Sequence, residues 1–149
     1  MAEISKELMD LINSVPCCYL ATASREGVPN VVPAGSTAAV SPDTIVVAGV
    51  FLGKTLENLK ENPKAAIVVN SAAPPKAEIS VEKLAQVTGG QIKGSVTLLT
   101  SGDIHEQTKS MVAKLLGTEA ARMLKATVVL KVEEIYSVTP GPEAGKRIA

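Results

Sequence analysis

The sequence of 149 residues is 46% apolar and 20% charged, a length and composition typical of one globular domain rather than a disordered chain. Fifteen Lys and Arg residues balance fifteen Asp and Glu residues, so no net charge attracts nucleic acid or an anionic membrane. The chain has no Trp, two Tyr and one Phe. This argues against a single-stranded nucleic-acid binder, because such proteins stack bases on several aromatic rings.

Residues 1–16 predict an amphipathic helix rather than a signal peptide, because no basic start is followed by an unbroken apolar stretch. Its apolar residues share one helical face: Ile4, Leu8, Leu11, Ile12 and Val15. The longest apolar run, residues 45–52, is far shorter than the roughly 20 residues that a membrane-spanning helix needs. We therefore expect a cytoplasmic protein that does not enter the membrane.

Two adjacent cysteines, Cys17 and Cys18, follow this helix. Neighbouring cysteines are poorly placed to cross-link distant parts of a fold, and two without a nearby His or Asp do not make a metal site. We interpret them as small, partly buried residues at the start of a strand. A redox-active pair is the alternative, and we expect no metal.

A β-hairpin and a third strand come next. We predict strands over residues 18–24 and 29–40, joined by a turn at residues 25–27. After a second turn at residues 41–43, residues 44–51 form the third strand. Every position from Ile45 to Phe51 is apolar, a pattern typical of a strand that is covered on both faces.

Residues 44–69 have the order strand, Gly-Lys-Thr, short helix, Asn-Pro, strand. The helix predicted over residues 55–61 brings its free backbone N–H groups together with the Lys54 ammonium and the Thr55 hydroxyl. Because such a helix end attracts anions, the pattern predicts a phosphate site, with the apolar strand as a wall for an attached flat group. A P-loop would require glycine where Ala48 stands, so we favour another kind of phosphate site.

Three more strands are predicted in the rest of the chain, over residues 65–70, 91–100 and 126–136. Residues 71–90 open as a loop at Pro74 and Pro75, with one or two helical turns over residues 81–87. A long helix covers residues 103–116 and a short one residues 118–124, and residues 140–149 form a polar tail. We interpret His105, in the first turn of the long helix, as a solvated surface residue.

Six strands with helices inserted at irregular intervals favour a mainly β fold. The hairpin spacing indicates a six-stranded antiparallel sheet that closes into a small barrel, with peripheral helices and one domain over residues 1–149. We assign one face of the apolar strand at residues 44–51 to the barrel interior. A second subunit would cover the other face, so we expect a homodimer.

Two stretches, LATASREGVPNVVP at residues 20–33 and GKTLENLKENPKAAIVV at residues 53–69, resemble the pyridoxamine 5'-phosphate oxidase-like family of FMN-binding split barrels. The resemblance is good over residues 17–69 and extends in layout to the rest of the chain. It implies a homodimer of six-stranded split barrels that holds FMN at each end of the subunit interface.

The same resemblance implies which residues hold the cofactor. Lys54 and Thr55 would bind the 5'-phosphate, and the segment from residue 33 to residue 37 would line the flavin edge, with Ser36 or Thr37 near the phosphate or the ribityl chain. Gly49, which has no side chain, would let the isoalloxazine ring approach the backbone. The full set is Pro33, Ala34, Gly35, Ser36, Thr37, Ala48, Gly49, Val50, Lys54 and Thr55.

True pyridoxamine 5'-phosphate oxidases carry a C-terminal segment with Arg and His that holds the substrate, whereas this chain ends in SVTPGPEAGKRIA. We therefore expect a different FMN-dependent oxidoreductase, which transfers electrons between a reduced donor such as NAD(P)H and a small acceptor. The alternatives are a non-enzymatic flavin carrier or electron-transfer protein, an F420-dependent reductase, and a haem-binding member of the family. We assign no catalytic residue. Lys93 and Tyr136 stay open as residues that reach the cofactor, whereas for Arg25, in a hairpin turn, we favour a position without such a role.

Overall fold

One antiparallel sheet forms the body of the protein in the computed structural model, which describes residues 2–149. The strands are β1 Cys18–Ala23, β2 Pro29–Ala34, β3 Thr37–Ser41, β4 Thr44–Ala48, β5 Lys64–Asn70, β6 Gly89–Leu99 and β7 Thr127–Ser137. The helices are α1 Lys6–Ser14, α2 Lys54–Glu61, α3 Val81–Leu84, α4 Asp103–Leu116 and α5 Thr118–Arg122. Across the described residues, no helix is both long and apolar enough to span a membrane.

A very short connection joins the two edges of the sheet. The strand order is β2-β1-β5-β6-β7-β4-β3, so the edge strands β2 and β3 are consecutive in the chain, with only Gly35 and Ser36 between them. Three peptide steps reach about 11 Å, whereas a flat sheet of seven strands would be about 29 Å wide. The sheet must therefore curl into a barrel, which confirms the predicted mainly β split barrel.

The predicted strand over residues 29–40 is in fact two strands, β2 and β3, on opposite edges of the sheet. The sheet consequently has seven strands instead of the expected six. Because β2 pairs with β1 and β3 pairs with β4, the chain changes its pairing partner at Gly35 and Ser36. The local sequence is compatible with an extended strand throughout, so the break depends on which strands are available for pairing.

Aliphatic side chains fill the barrel and two helices cover its ends. The fully buried interior side chains include Leu20, Ile45, Val47, Ile67, Ile92 and Leu130. Helix α1 packs beside the start of β6, where Leu8 contacts Gly90. Helix α2 packs on β1 and β2, and its Leu56 lies near Leu98 at the other end of β6. The first turn of α2 is thereby placed at one end of the barrel.

Helices α4 and α5 cover part of the outer face of β4. Ala48 and Val50 pack in a second apolar cluster with Val112 of α4 and Ala121 of α5. The sequence analysis assigned the cover of this face to a second subunit, but at these positions the same chain provides it. Both the long helix and the strand at residues 44–51 were predicted, but the contact between them was not. The prediction of a homodimer must therefore rest on another surface of the protein.

The residues after β7 fold back along its edge. Strand β4 pairs only with residues 127–131 of β7, which leaves the second half of that edge open. The Ile148 N–H donates a hydrogen bond of 2.8 Å to the Ile135 carbonyl, and the Ile135 N–H donates one of 3.0 Å to the Ala149 carbonyl. The predicted polar tail is therefore attached to the sheet.

Candidate functional site

The first turn of α2 is open to solvent and has no side-chain cap. Gly53 occupies the N-cap position without a side-chain acceptor, and a Cβ built there would meet nothing within 4 Å. The Lys54 side chain is 62% exposed, with its Nζ 3.4 Å from Oε2 of Glu57. An exposed ion pair of this kind contributes little, so a phosphate can replace the carboxylate. The N–H groups and the ammonium form a donor set that fits a phosphate.

Thr55 is turned away from this open surface. The residue is only 1% exposed, and its Oγ1 accepts a hydrogen bond of 3.0 Å from Nδ2 of Asn30. The hydroxyl therefore faces the end of the barrel beneath α2. Of the two residues in the motif, Lys54 has its side chain at the open surface, whereas Thr55 can offer only its backbone N–H there.

The cofactor residues named at β2, β3 and β4 form a second group. The Ala48 N–H donates a hydrogen bond of 3.0 Å to the Ser36 carbonyl, so the link between β2 and β3 lies beside the end of β4. Along this segment Pro33 and Gly35 are exposed, Ala34 is buried, and Ser36 and Thr37 are half-buried. Among residues 2–149, no hydrogen bond joins this group to Lys54.

Gly49 allows two parts of the backbone to approach closely. A Cβ at Gly49 would lie 2.5 Å from the Ala126 carbonyl oxygen, which accepts a hydrogen bond of 2.8 Å from the Gly49 N–H. The close approach that the sequence analysis attributed to a flat ligand is made here by the same chain. Since Ala48 and Val50 pack under α4 and α5, their side chains face these helices.

A groove of about 290 Å³ begins at Gly53 and runs along one side of α2. Its floor is apolar and includes Leu52, Leu56, Leu98 and Ala126. Thr100, Lys60 and Lys125 line its polar rim. A narrow apolar groove with a few polar groups at its edge is the usual character of a small-molecule site, and this one adjoins the open helix end.

Four polar side chains meet between α2 and the β1–β2 hairpin: Thr22, Asn30, Thr55 and Asn58. The sequence analysis named only Thr55 among them. One signal was available, because Asn58 lies three residues after Thr55 and thus on the buried face of an amphipathic helix. A polar side chain at such a position needs a hydrogen-bond partner from elsewhere in the fold.

Exposed apolar side chains lie on the outer face of the β1–β2 hairpin. Val31 is 66% exposed and pairs with Ala21, while Tyr19 is exposed and pairs with Pro33. Farther along the same sheet, Nζ of Lys93 lies 4.7 Å from the centre of the Tyr136 ring, a cation–π contact. The exposed side chains Tyr19, Val31 and Pro33 thus share one face of the hairpin.

His105 is buried, so the prediction of a solvated side chain is wrong. The residue is 7% exposed, and its Nδ1 lies 3.0 Å from Oγ1 of Thr127. The reason is that the first turn of α4 packs against the start of β7. Across residues 2–149, no three His, Cys, Asp or Glu side chains are grouped as ligands of a metal ion.

Cys17 and Cys18 are both free thiols. Cys18 is buried at the start of β1, and this burial raises the pKa of its thiol to about 11. The reactive thiolate is therefore scarce at neutral pH. The placement of Cys18 agrees with a packing role.

The family model described as pyridoxamine 5'-phosphate oxidase matches residues 4–139 of the chain. The chain belongs to this family. A curated relative, an uncharacterized protein of Methanocaldococcus jannaschii, is 31% identical over 133 residues, which cover 88% of this chain and 78% of that protein. The resemblance carried by residues 20–33 and 53–69 is thus confirmed.

Three solved structures share the fold of this family member. HupZ of Group A Streptococcus is 26% identical with a TM-score of 0.72, covering 95% of this chain and 99% of that chain. An FMN-binding protein of Syntrophomonas wolfei is 22% identical with a TM-score of 0.74, covering 89% and 84%. HutZ, a haem storage protein of Vibrio cholerae, is 14% identical with a TM-score of 0.59, covering 88% and 89%. The same barrel thus occurs in proteins that hold different cofactors.

Proposed function

We propose that the protein is a flavoprotein that binds the 5'-phosphate of FMN at the first turn of α2. The observation that carries this proposal is the exposed, uncapped start of an eight-residue helix with Lys54 at its first position, in a chain of the pyridoxamine 5'-phosphate oxidase family. The FMN-binding protein of Syntrophomonas wolfei, which has the same fold, supports FMN as the phosphate-bearing ligand.

The residues of this chain would share the work of holding the cofactor. The Lys54 ammonium would neutralise the phosphate, and the N–H groups of Lys54 and Thr55 would orient it. The apolar floor of the groove beside α2 offers a surface for a flat ring. The Thr37 hydroxyl already donates a hydrogen bond of 2.7 Å to the Ala34 carbonyl, so Ser36 is the better hydroxyl for the ribityl chain.

When bound, FMN supplies the electron transfer, and the protein supplies binding, orientation and exclusion of water. We assign the protein to the oxidoreductases, with a donor such as NAD(P)H and a small-molecule acceptor. One observation favours a second candidate, a non-enzymatic flavin carrier or electron-transfer protein. The single histidine of the chain is buried against Thr127, so it is not available as an acid or base at the α2 surface.

A homodimer with the cofactor at the subunit interface is part of this proposal. The exposed apolar face of the β1–β2 hairpin, with Val31, Tyr19 and Pro33, supports it, because exposed apolar patches mark protein interaction sites. Pro33 stands on this face and also begins the segment that leads to Ser36. A partner that covers the face would therefore lie next to the proposed cofactor site.

The absorption spectrum of the purified protein, with the mass of any released chromophore, tests the cofactor. A flavin spectrum and the mass of FMN are expected. A deazaflavin mass would replace FMN by F420, and a haem spectrum would place the protein nearer to HutZ in function. A colourless protein that also fails to bind added FMN would contradict the proposal.

Reduction of the bound flavin separates the enzyme from the carrier. An NAD(P)H-dependent oxidoreductase should lose its flavin absorption rapidly when NADH or NADPH is added without oxygen. Slow loss with both donors, together with rapid reduction by a one-electron donor protein, would favour the carrier.

A further inference from the structure

The polar cluster beneath α2 joins the proposed phosphate site to the barrel. Thr22 and Asn30 are direct partners in the register of β1 and β2. Thr55 and Asn58 are three residues apart on α2, so they lie on the same face of the helix. Thr22, Thr55 and Asn58 are all buried. Two strands and one helix are therefore joined here by polar groups in addition to their apolar contacts.

The hydrogen bonds of this cluster all cross between the elements. Nδ2 of Asn30 donates to Oγ1 of Thr55 at 3.0 Å and to Oγ1 of Thr22 at 3.4 Å. Nδ2 of Asn58 donates to Oγ1 of Thr22 at 3.2 Å. The Oδ1 atom of Asn58 is buried without a hydrogen-bond partner among the described residues. An unpaired buried acceptor is costly, so stability alone does not explain this arrangement.

Direction distinguishes these contacts from the apolar contacts around them. Leu56 and Leu59 of α2 also pack in the core, but apolar contacts change little when a helix slides or rotates slightly. Hydrogen bonds weaken steeply with poor geometry. The Asn30–Thr55 and Thr22–Asn58 hydrogen bonds therefore fix both the position of α2 along its axis and its rotation about that axis.

We propose that Thr55 and Asn58 are positioning residues, which fix the first turn of α2 so that the Lys54 ammonium and the helix N–H groups meet the phosphate of FMN. This inference rests on the proposed function. The buried hydroxyl of Thr55 acts on Asn30 and does not itself contact the phosphate, whereas the backbone N–H of Thr55 stays part of the proposed phosphate site. Asn58 acts through Thr22, on the neighbouring strand of the same hairpin.

The binding of FMN and of riboflavin to Thr55→Val and Asn58→Leu tests the inference, because riboflavin lacks the phosphate. We expect each variant to bind FMN about tenfold more weakly, the equivalent of one ordinary hydrogen bond, with riboflavin binding unchanged. The Tm of the cofactor-free Asn58→Leu variant should be unchanged or higher, since this replacement removes the unpaired acceptor. Thr55→Val takes one acceptor away from Asn30, so its Tm should be slightly lower while its riboflavin binding stays unchanged. Thr55→Ser, which keeps the hydroxyl, should restore FMN binding.

A double-mutant cycle with Lys54→Met separates positioning from direct contact. If Thr55 acts by placing Lys54, Thr55→Val should weaken FMN binding less when Lys54 is already replaced. Additive effects would overturn the inference in favour of independent phosphate contacts. Unchanged FMN affinity in both single variants, or equal losses for FMN and riboflavin with a lower Tm or loss of folding, would also overturn it. If the unaltered protein does not prefer FMN to riboflavin, the proposed function itself fails.

Discussion

Gly49 is a residue whose identity is explained by the chain itself. It follows β4 at the point where the backbone meets Ala126, the residue before β7. The Ala126 carbonyl oxygen occupies the space that a side chain would take. A role at the flavin ring, implied by the resemblance, is therefore not needed to account for glycine at this position.

Replacement of this glycine should destabilise the protein. In Gly49→Ala the added Cβ would lie 2.5 Å from a backbone oxygen, so the backbone must shift, and we expect a loss of about 1–3 kcal/mol in the free energy of unfolding. Urea denaturation measures this loss. Gly35→Ala is the control, since a Cβ there lies 3.5 Å from the Pro16 carbonyl oxygen, an ordinary contact. Equal stabilities of the two variants would contradict this explanation.

Lys54 and Thr55 show what can be predicted about single residues from the sequence. The exposed position of Lys54 follows from local features, because Gly53 ends the preceding segment and the residue starts a short helix. The inward direction of the Thr55 hydroxyl does not. Its partner, Asn30, is 25 residues away in the chain, and no local pattern indicates that contact.

For helices and strands too, features set by local sequence could be predicted, whereas features set by contacts between distant residues could not. Helix α4 was predicted over residues 103–116 and spans Asp103–Leu116, because Asp103 at its start and the following Gly117 are both local signals. The division of residues 29–40 into β2 and β3 was missed, because it follows from pairing with β1 on one side and β4 on the other. The burial of His105 depends in the same way on the contact between α4 and β7.

The β1–β2 hairpin carries the face on which the dimer prediction now depends. Val31→Asp places a charge in the centre of this apolar face, so we expect a monomer in place of a dimer when the molar mass is measured by light scattering. The Val31→Asp variant should also bind FMN more weakly, since the proposed cofactor site lies at the dimer interface. A charge buried without a partner in an interface is strongly unfavourable.

The matched control for this variant is Leu115→Asp. Leu115 of α4 is also 66% exposed but lies on a helix away from the hairpin. The Leu115→Asp variant should therefore have the same molar mass and the same FMN affinity as the unaltered protein. A monomeric unaltered protein, or a Val31→Asp variant that remains dimeric, would contradict the proposed interface.

At the level of the whole molecule, the mainly β barrel could be predicted from strand spacing and from the motif at residues 53–69, and the family match over residues 4–139 confirms the resemblance. The strand order could not be predicted, because it is set by long-range pairing of β6 with β7 and of β7 with β4. The packing of α4 and α5 over Ala48 and Val50 could not be predicted either, because it is a contact between distant parts of the chain. This packing removes one reason to expect a second subunit, so the dimer prediction now rests on the hairpin face.

The most direct test of the FMN site is an equilibrium titration of FMN into the unaltered protein, Lys54→Met and Lys6→Met. Lys6 and Lys54 are each the first residue of a helix, and each forms an exposed ion pair within that helix. Only Lys54 lies at the proposed phosphate site. Lys54→Met should weaken FMN binding by about 1.5–3 kcal/mol, the range for hydrogen bonds to charged groups, while Lys6→Met should bind as the unaltered protein does. Equal FMN affinities for all three proteins would contradict the phosphate site at α2.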